Sequence, residues 1–398
     1  MPKMKSQRIF VGLSGGVDSA VSAALLKKAG YDVTGVFIKV WQPDWIECNW
    51  KEERLEAIRV AAHLDIPFVT LDLVDEYKRG VIDYMIAEYA AGRTPNPDVM
   101  CNREVKFGAF WRWAEKQGAD YIATGHYARV GTCLASSEQG FGSTDISLLG
   151  NSSCSRQSRS QGSLTPVCLH LGRALLAGAD TSKDQSYFLW TLTQDDLQHA
   201  LFPVGGMTKP EVRKLALKFG LPNAEKKDSQ GLCFIGKVDV KEFLKHYIKA
   251  ETGDVLNESG ETIGKHPGAL FFTIGERHGF TIDPAHKSPD DKAFYVIGKD
   301  IEKNTLTVSN KNSANSLESG KTRVKIGRTN WIEAVPPKVG ITMMARSRYR
   351  EPLQDIRIIS IGDNEAEIEF KEKQDTLTPG QSLVMYDGDE CLGGGFIE

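Results

Sequence analysis

No run of apolar residues in this chain approaches the roughly 20 that a membrane-spanning helix needs, and no two cysteines form a Cys-x-x-Cys pair. The first absence argues against a membrane protein of the helical kind, and the second disfavours a zinc ribbon or finger. There is also no excess of one charge. Lys and Arg number 49 against 52 Asp and Glu, for a formal net charge of −3. Bulk charge therefore calls for no polyanionic partner, although a local basic patch can still meet one. The seven cysteines are odd in number and widely scattered, which is not the pattern of a disulfide-stapled secreted domain. Lys3, Lys5 and Arg8 precede Ile9, but the apolar run breaks at Gly12 and makes no signal-peptide core. The expectation is a cytoplasmic protein in a reducing compartment, with no membrane partner and no assigned metal site. Any paired cysteines would then be catalytic or redox-cycling.

At 398 residues with 41% hydrophobic and 25% charged positions, the chain has room for two or three globular domains. Short apolar segments alternate with amphipathic ones through the first part. Strands are expected over 8–11, 32–39, 68–71 and 121–124, with helices over 19–29, 52–64, 77–91 and 106–117. That order predicts an α/β domain with a parallel sheet covered on both faces, its binding residues at the carboxyl ends of the strands. From Thr132 the texture changes to a Ser-, Gly- and Gln-rich stretch, read as a surface insertion within 132–180. Toward the C-terminus, short alternating runs separated by glycine turns predict a small β-barrel. The expected division is a catalytic domain over 1–220, a central linker domain over 221–290 and a barrel over 291–398.

The richest local signal is Gly12-Leu13-Ser14-Gly15-Gly16-Val17-Asp18-Ser19, set between an apolar strand and a helix. Backbone N–H groups and hydroxyls at a helix N-terminus make a seat for phosphate. The loop lacks the Gly-Lys-Ser/Thr ending suited to transferring a terminal phosphoryl group. It resembles the pyrophosphate loop of ATP pyrophosphatases, which adenylate an oxygen and release pyrophosphate. That resemblance gives Ser14 and Ser19 as donors to phosphate and Asp18 as a residue helping to place Mg²⁺. Ile38 and Gly125, at neighbouring strand ends, are candidates for the adenine site.

Two cysteines lie in polar, turn-marked segments rather than apolar runs. Cys101 follows Asn96-Pro97-Asp98-Val99-Met100, and Cys233 lies in Asp228-Ser229-Gln230-Gly231-Leu232-Cys233-Phe234-Ile235-Gly236. At a helix start, with Arg103 and Lys106 near in sequence, Cys101 has a means of favouring its thiolate. Asp98 is then a candidate general acid or base. The alternative reading makes Cys101 a small buried hydrophobe and Asp98 a helix cap.

Taken together, these blocks resemble the bacterial tRNA-specific 2-thiouridylases. The likeness rests on the Ser14–Ser19 loop, Gly92-Arg93-Thr94-Pro95-Asn96-Pro97-Asp98 with Cys101-Asn102, Ala123-Thr124-Gly125-His126-Tyr127 and Lys183-Asp184-Gln185-Ser186-Tyr187-Phe188. It continues through the Cys233 block, Phe272-Thr273-Ile274-Gly275-Glu276-Arg277-His278-Gly279, Arg346-Ser347-Arg348-Tyr349-Arg350, Thr378-Pro379-Gly380-Gln381 and Leu392-Gly393-Gly394-Gly395. The resemblance implies that ATP, with Mg²⁺, adenylates the C2 oxygen of the wobble uridine. A sulfur-carrier protein would load Cys233 as a persulfide, and Cys101 would release the sulfur and leave a Cys101–Cys233 disulfide for a reductant to reopen. It also implies that Asp98 assists proton transfer. The tRNA contacts it points to are Asn96, Pro97, Asp98, His126, Lys183, Asp184, Gln185, Arg348, Tyr349 and Gln381.

By strand alternation, Arg346, Arg348 and Arg350 would share one face and meet phosphates, with Tyr349 on the other face available to stack on a base. Two features depart from the family pattern. The serine-rich insertion is long, and Glu276 stands where glutamine is usual, a carboxylate that Arg277 or His278 would have to offset. Rival readings are another ATP pyrophosphatase, such as a 4-thiouridine synthetase, and a nucleotide-sensing RNA-binding protein without turnover.

Overall fold

The computed structural model describes residues 6–45, 50–132, 172–227, 240–287, 292–310, 321–374 and 377–398. Cys233 and residues 133–171 of the serine-rich insertion lie outside the described residues.

Five parallel strands form the first sheet. They are β1 (Arg8–Gly12), β2 (Asp32–Lys39), β3 (Phe68–Asp72), β4 (Tyr121–Ala123) and, beyond a later hairpin, Ala200–Leu201. The order across the sheet runs from β3 through β2, β1 and β4 to Ala200–Leu201. Strand order reverses at β1, which pairs with β2 on one side and β4 on the other. In such a sheet the crevice at the carboxyl ends of the two diverging strands is the natural ligand site. Ile9, Val11, Val36 and Ile122 are buried, as both covered faces require. Helix α1 (Val17–Lys28) springs from the β1 crevice and buries Ala20, Val21, Ala23 and Leu26. Helix α2 (Trp50–His63) covers the sheet with Ala57, Val60 and Ala61.

A hairpin leaves this domain. Strand β5 (Ala128–Thr132) pairs antiparallel with β6 (Arg173–Ala177), making Ala200–Leu201 β7 in chain order. Residues 173–177, within 132–180 but beyond its polar stretch, form a paired strand with Ala174, Leu175 and Leu176 buried. The run Ala-Leu-Leu-Ala is too short to announce itself beside the polar stretch before it.

The second sheet comprises β8 (Gly253–Leu256), β9 (Thr262–His266), β10 (Thr281–Ile282), β11 (Tyr295–Asp300) and β12 (Thr305–Ser309). Because β12 pairs with β8, residues 295–309 close this middle sheet and do not open the C-terminal barrel as expected. Short alternating strands look alike in sequence whichever sheet they join. Only the long-range pairing distinguishes them.

The last six strands are β13 (Lys321–Trp331), β14 (Thr342–Arg346), β15 (Gln354–Ile361), β16 (Glu365–Gln374), β17 (Ser382–Asp387) and β18 (Glu390–Ile397). They form an antiparallel barrel that closes through pairing of β13 with both β16 and β18. Ala366, Ile368 and Phe370 alternate inward along β16, opposite Ile326, Val324 and Ile356 on its neighbours. Strand β13 is absent from the sequence reading, since only Val324 and Ile326 alternate with exposed Arg323 and Lys325 before Gly327 and Arg328, the latter at φ +50°, break the pattern.

The barrel is bolted to the first domain. Strand β6 adds to the edge of β18, and the buried Tyr187 donates to the carbonyls of Ser347 (3.1 Å) and Ser382 (3.0 Å). Trp190 Nε1 donates to Ser382 Oγ at 3.0 Å, and the Glu88 carboxylate pairs with both Arg93 and Arg328. The stretch after Lys183 is therefore a wedge between domains as well as part of a candidate site.

Candidate active site

The phosphate loop is built by backbone conformation. Gly15 has φ +75°, and a Cβ there would lie 2.6 Å from the Glu53 carbonyl oxygen, so glycine is required on both counts. Gly16 caps α1 with extended backbone and no side chain, which leaves the first-turn N–H groups of a 12-residue helix to an incoming anion. Ser19 Oγ accepts from Ser14 N–H at 3.3 Å and donates to the Gly16 carbonyl at 3.2 Å. Ser14 is exposed while Leu13 and Ser19 are buried. Val17 is also buried. At the end of β4, a Cβ on Gly125 would lie 2.7 Å from Ser19 N, so Gly125 brings that strand end against the first turn of α1. Ile38 is buried in the core with Phe10, Val36 and Leu71. Its side chain packs in that core, which leaves the backbone of this strand end as the part that could meet a base.

Asp18 is more heavily engaged than its motif suggests. Lys209 Nζ lies 2.7 and 2.9 Å from its two carboxylate oxygens, and Tyr127 OH donates to it at 2.8 Å. Lys209 is nine-tenths buried, at the start of the helix Lys209–Lys218. Nothing in its local sequence separates it from an ordinary first-turn lysine, and sequence reasoning missed it. Asn223 Nδ2 and Lys226 Nζ approach the Gly15 carbonyl at 3.0 and 3.3 Å. Asn223 Oδ1 is buried without a hydrogen-bond partner at this loop.

Cys101 is fully buried. Asn96 caps the helix Pro97–Met100 by accepting from Asp98 N–H at 3.1 Å, with Pro97 in the first turn. The helix continues as a π-helical stretch, Cys101–Ala109, and then as Phe110–Lys116. It starts before the expected residue 106. Cys101 accordingly stands beyond the first turn, where the favourable field of a helix N-terminus has faded. Arg103 pairs with Glu104 at 2.9 Å, and Lys106 Nζ faces His126 Nε2 at 3.4 Å. Neighbouring Asn102 is buried and donates to the Phe188 carbonyl at 3.0 Å, while its Oδ1 lacks a partner. Asp98 is half-buried.

His126 is buried beside Phe107 and Phe202. Its Nδ1 meets Thr124 Oγ1 at 2.7 Å. Burial, and then the Lys106 ammonium, push its pKa well below the usual imidazole value. A neutral ring follows, accepting from Lys106 at Nε2 and donating from Nδ1 to Thr124. The same helix thus carries Cys101 and, one to two turns on, the residues that pack at the β4 edge beside the phosphate loop.

The residues singled out for tRNA divide into two kinds. Asp184 is a buried loop organiser, accepting from Gly178 N–H and Ser186 N–H (both 3.0 Å) and from Ser186 Oγ at 3.0 Å. Gln185 accepts from Tyr127 N–H at 2.9 Å, Gln381 Nε2 donates to the Thr94 carbonyl at 2.7 Å, and Arg348 donates to the Ile274 carbonyl at 3.0 Å. Tyr349 packs on Phe188, with ring centroids 4.5 Å apart. By contrast, Lys183, Arg346 and Arg350 line an open cleft of about 570 Å³ with Thr181, Ser182 and Glu351. The alternation expected over 346–350 does not occur. Strand β14 ends at Arg346, and Arg350 turns at φ +65°, so Arg346 and Arg350 meet in the cleft while Arg348 points to the middle domain. Arg346 Nε is buried without a partner, and Asp184 lies 3.7 Å from its Nη1.

Glu276 is offset by a residue other than those expected. Lys241 Nζ lies 2.5 Å from Glu276 Oε1, whereas Arg277 Nε donates to His278 Nε2 at 3.0 Å.

A glycine-rich loop at the switch point of a parallel sheet, a buried cysteine helix beside it and a basic cleft against a barrel define a multidomain α/β protein. A family model described as the tRNA methyl transferase HUP domain matches residues 7–150 and 167–237. Models of the tRNA methyl transferase PRC-barrel domain and the aminomethyltransferase beta-barrel domain match 241–310 and 321–397. The chain is 41% identical over 393 residues to tRNA-specific 2-thiouridylase MnmA of Streptococcus thermophilus (strain CNRZ 1066), covering 98% of this chain and 95% of that protein. Identity and coverage are the same for the protein of that name from Streptococcus mutans serotype c (strain ATCC 700610 / UA159). The chain belongs to the tRNA-specific 2-thiouridylase family. Among solved structures, a U34-tRNA thiolase NcsA from Methanococcus maripaludis aligns at 14% identity and a TM-score of 0.34, covering 61% of this chain and 64% of that one. A 4-thiouridine synthetase–RNA complex with bound ATP aligns at 17% identity and the same TM-score, covering 60% and 50%.

Proposed function

We propose that this chain is an ATP-dependent tRNA sulfurtransferase of the cytoplasm, replacing the C2 oxygen of the wobble uridine with sulfur. The observation that carries the reading is the shared sheet edge. Gly125 seats the β4 end on the first turn of α1, and the adjoining His126 is locked by Lys106 of the helix that bears Asp98 and Cys101. Nucleotide activation and thiol chemistry then have one location.

ATP phosphates would meet the N–H groups of Gly16 to Ser19, with the Ser14 and Ser19 hydroxyls beside them. Lys209 neutralises Asp18 and leaves that carboxylate compatible with a nearby polyphosphate. Among the described residues of this loop, Asp18 is the candidate for holding Mg²⁺, which would screen phosphate charge. Its engagement with Lys209 and Tyr127 makes it a poor metal ligand as it stands, and no step depends on it.

In the reaction, uracil O2 attacks the α-phosphorus and pyrophosphate leaves. Cys101 thiolate attacks the inner sulfur of a Cys233 persulfide, forming the Cys101–Cys233 disulfide and expelling hydrosulfide. Hydrosulfide adds at C2, the C2–O bond breaks, and AMP departs with the former O2. Asp98 takes the proton shed as the C2 thione forms. A carrier protein supplies the persulfide, and a dithiol reductant returns the disulfide to two thiols with two electrons.

Burial of Cys101 keeps the thiol from adventitious oxidants, and the base must leave its stack to reach it. Lys183, Arg346 and Arg350 form a seat for backbone phosphate of the tRNA. Unpartnered Asn102 Oδ1 and Arg346 Nε suit this reading, because a buried polar atom without a partner costs about 1–3 kcal/mol until a ligand satisfies it.

The test is a reconstituted reaction with ATP, Mg²⁺, a persulfide donor, a dithiol and unmodified tRNA, read by nucleoside mass analysis. Cys101→Ser and Cys233→Ser should each abolish 2-thiouridine with the fold intact. Wild-type turnover in either variant contradicts the relay.

A further inference from the structure

One side chain ties the phosphate loop to the turn that faces the basic cleft. Asp18 is the charged residue of Gly12–Ser19. Lys209 Nζ donates to its two carboxylate oxygens at 2.7 and 2.9 Å, and Tyr127 OH donates to Oδ1 at 2.8 Å. Each donor is bonded in turn to the loop 178–186, which carries Lys183. Tyr127 N–H donates to Gln185 Oε1 at 2.9 Å, and Gln185 N–H donates to the Tyr127 carbonyl at 2.8 Å. Lys209 N–H donates to Asp180 Oδ2 at 2.9 Å. Asp180 shapes the turn before the cleft, its Oδ1 accepting from Ser182 N–H at 3.1 Å and its carbonyl from Lys183 N–H at 3.0 Å.

These links are held firmly. Lys209 opens the helix Lys209–Lys218, whose start is closed by a capping box between Thr208 and Glu211. Tyr127 and Lys209 are only 3% and 9% exposed, so their bonds keep their geometry with little competition from water. Gly178 lets the loop close on Tyr127, since a Cβ there would lie 2.6 Å from the Tyr127 carbonyl oxygen. The two ends of the bracket carry the two reactants of base activation. ATP lies on the phosphate loop, and Lys183 helps to seat the tRNA. Their reacting atoms must come within about 3–3.5 Å and in line, and an error of about 1 Å costs on the order of a hundredfold in rate.

We propose that Tyr127 and Asp180 are positioning residues for base activation. Through Asp18 and Lys209 they register the tRNA-facing turn against the phosphate loop, so that the uridine oxygen meets the α-phosphorus. The inference rests on the adenylation reading above. Neither side chain takes part in the bond changes, and both act through the elements they join.

The test uses Tyr127→Phe, which removes one hydroxyl, Asp180→Ala, which removes the acceptor of the Lys209 N–H, and the double variant, all in the full-length protein. The readout is the single-turnover rate of tRNA-dependent pyrophosphate release, with no persulfide donor present. ATP affinity without tRNA and tRNA affinity without ATP are titrated in parallel. Each single variant should slow pyrophosphate release by about fivefold and the double variant by at least about thirtyfold, with both affinities within about twofold of wild type. Wild-type rates in the two single variants overturn the inference. So does a loss of ATP or tRNA affinity as large as the loss of rate, which marks a damaged seat and not a lost register. Should the double variant not fold, the single variants decide. A wild-type protein that releases no pyrophosphate with tRNA would instead overturn the adenylation reading itself.

Discussion

The glycine-rich loop and the basic cleft, the two proposed seats for phosphate, are built in opposite ways. The loop is eight consecutive residues whose N–H donors, hydroxyls and glycine conformation are set locally by one strand, one turn and one helix. The cleft draws Lys183 from the wedge after β6, and Arg346 and Arg350 from the end of β14, regions more than 160 positions apart in sequence. A site encoded locally is written in the sequence. A site encoded by docking is legible only once the domains have met.

That contrast explains what could be read and what could not. The turn at Gly15 was legible because only glycine suits its backbone, and the strand and helix on either side of it are signalled locally. Lys209 was not, since its value lies in reaching Asp18 across 191 positions. The same applies to the arginines. Alternation over 346–350 presumed a strand, but the chain turns after Arg346 to let Tyr187 bond the Ser347 carbonyl. The burial of Cys101 was one of two readings its sequence context left open, and the helix that begins at Pro97 under the Asn96 cap carries it into the core. Strand β13 was missed for lack of clean alternation, and β11 and β12 were given to the wrong sheet because register is a long-range property.

Three perturbations probe the contrast. The largest effect is expected at the local site. Gly15→Ala forces a Cβ onto the Glu53 carbonyl at a left-handed φ, and should weaken ATP binding by at least about tenfold, or about 1.4 kcal/mol, in isothermal titration. Unchanged affinity would mean that phosphate does not use this turn.

A smaller, distributed effect is expected in the cleft. Arg350→Ala should lower the slope of log affinity for tRNA against log salt by about one, with no more than a small change in melting temperature. Arg348→Ala removes hydrogen bonds to Ile274 and Thr378 and should cost about 1–2 kcal/mol of stability. Reversal of the two outcomes would relocate the phosphate seat from the cleft to the Arg348 side.

The smallest effect concerns the edge where the two centres meet. His126 has a depressed pKa in the folded protein, so the unfolded chain takes up the proton first as pH falls below about 6.5. Its contribution to stability is present above that pH and is lost on acidification. His126→Gln should shrink the fall in melting temperature between pH 7 and pH 5. Burial also lowers the pKa of His266, which acts in the same direction, so some of the fall should remain. An unchanged pH profile in His126→Gln would mean that the ring is not held neutral at this edge.

The most direct measurement follows the oxygen that the uridine loses. Transfer RNA carrying ¹⁸O at C2 of the wobble uridine, turned over with unlabelled ATP in ordinary water, should yield AMP with one ¹⁸O on its phosphate for each 2-thiouridine formed. Unlabelled AMP accompanying full thiolation would contradict adenylation of the base, and with it the account of why a phosphate cradle and a buried thiol share one sheet edge.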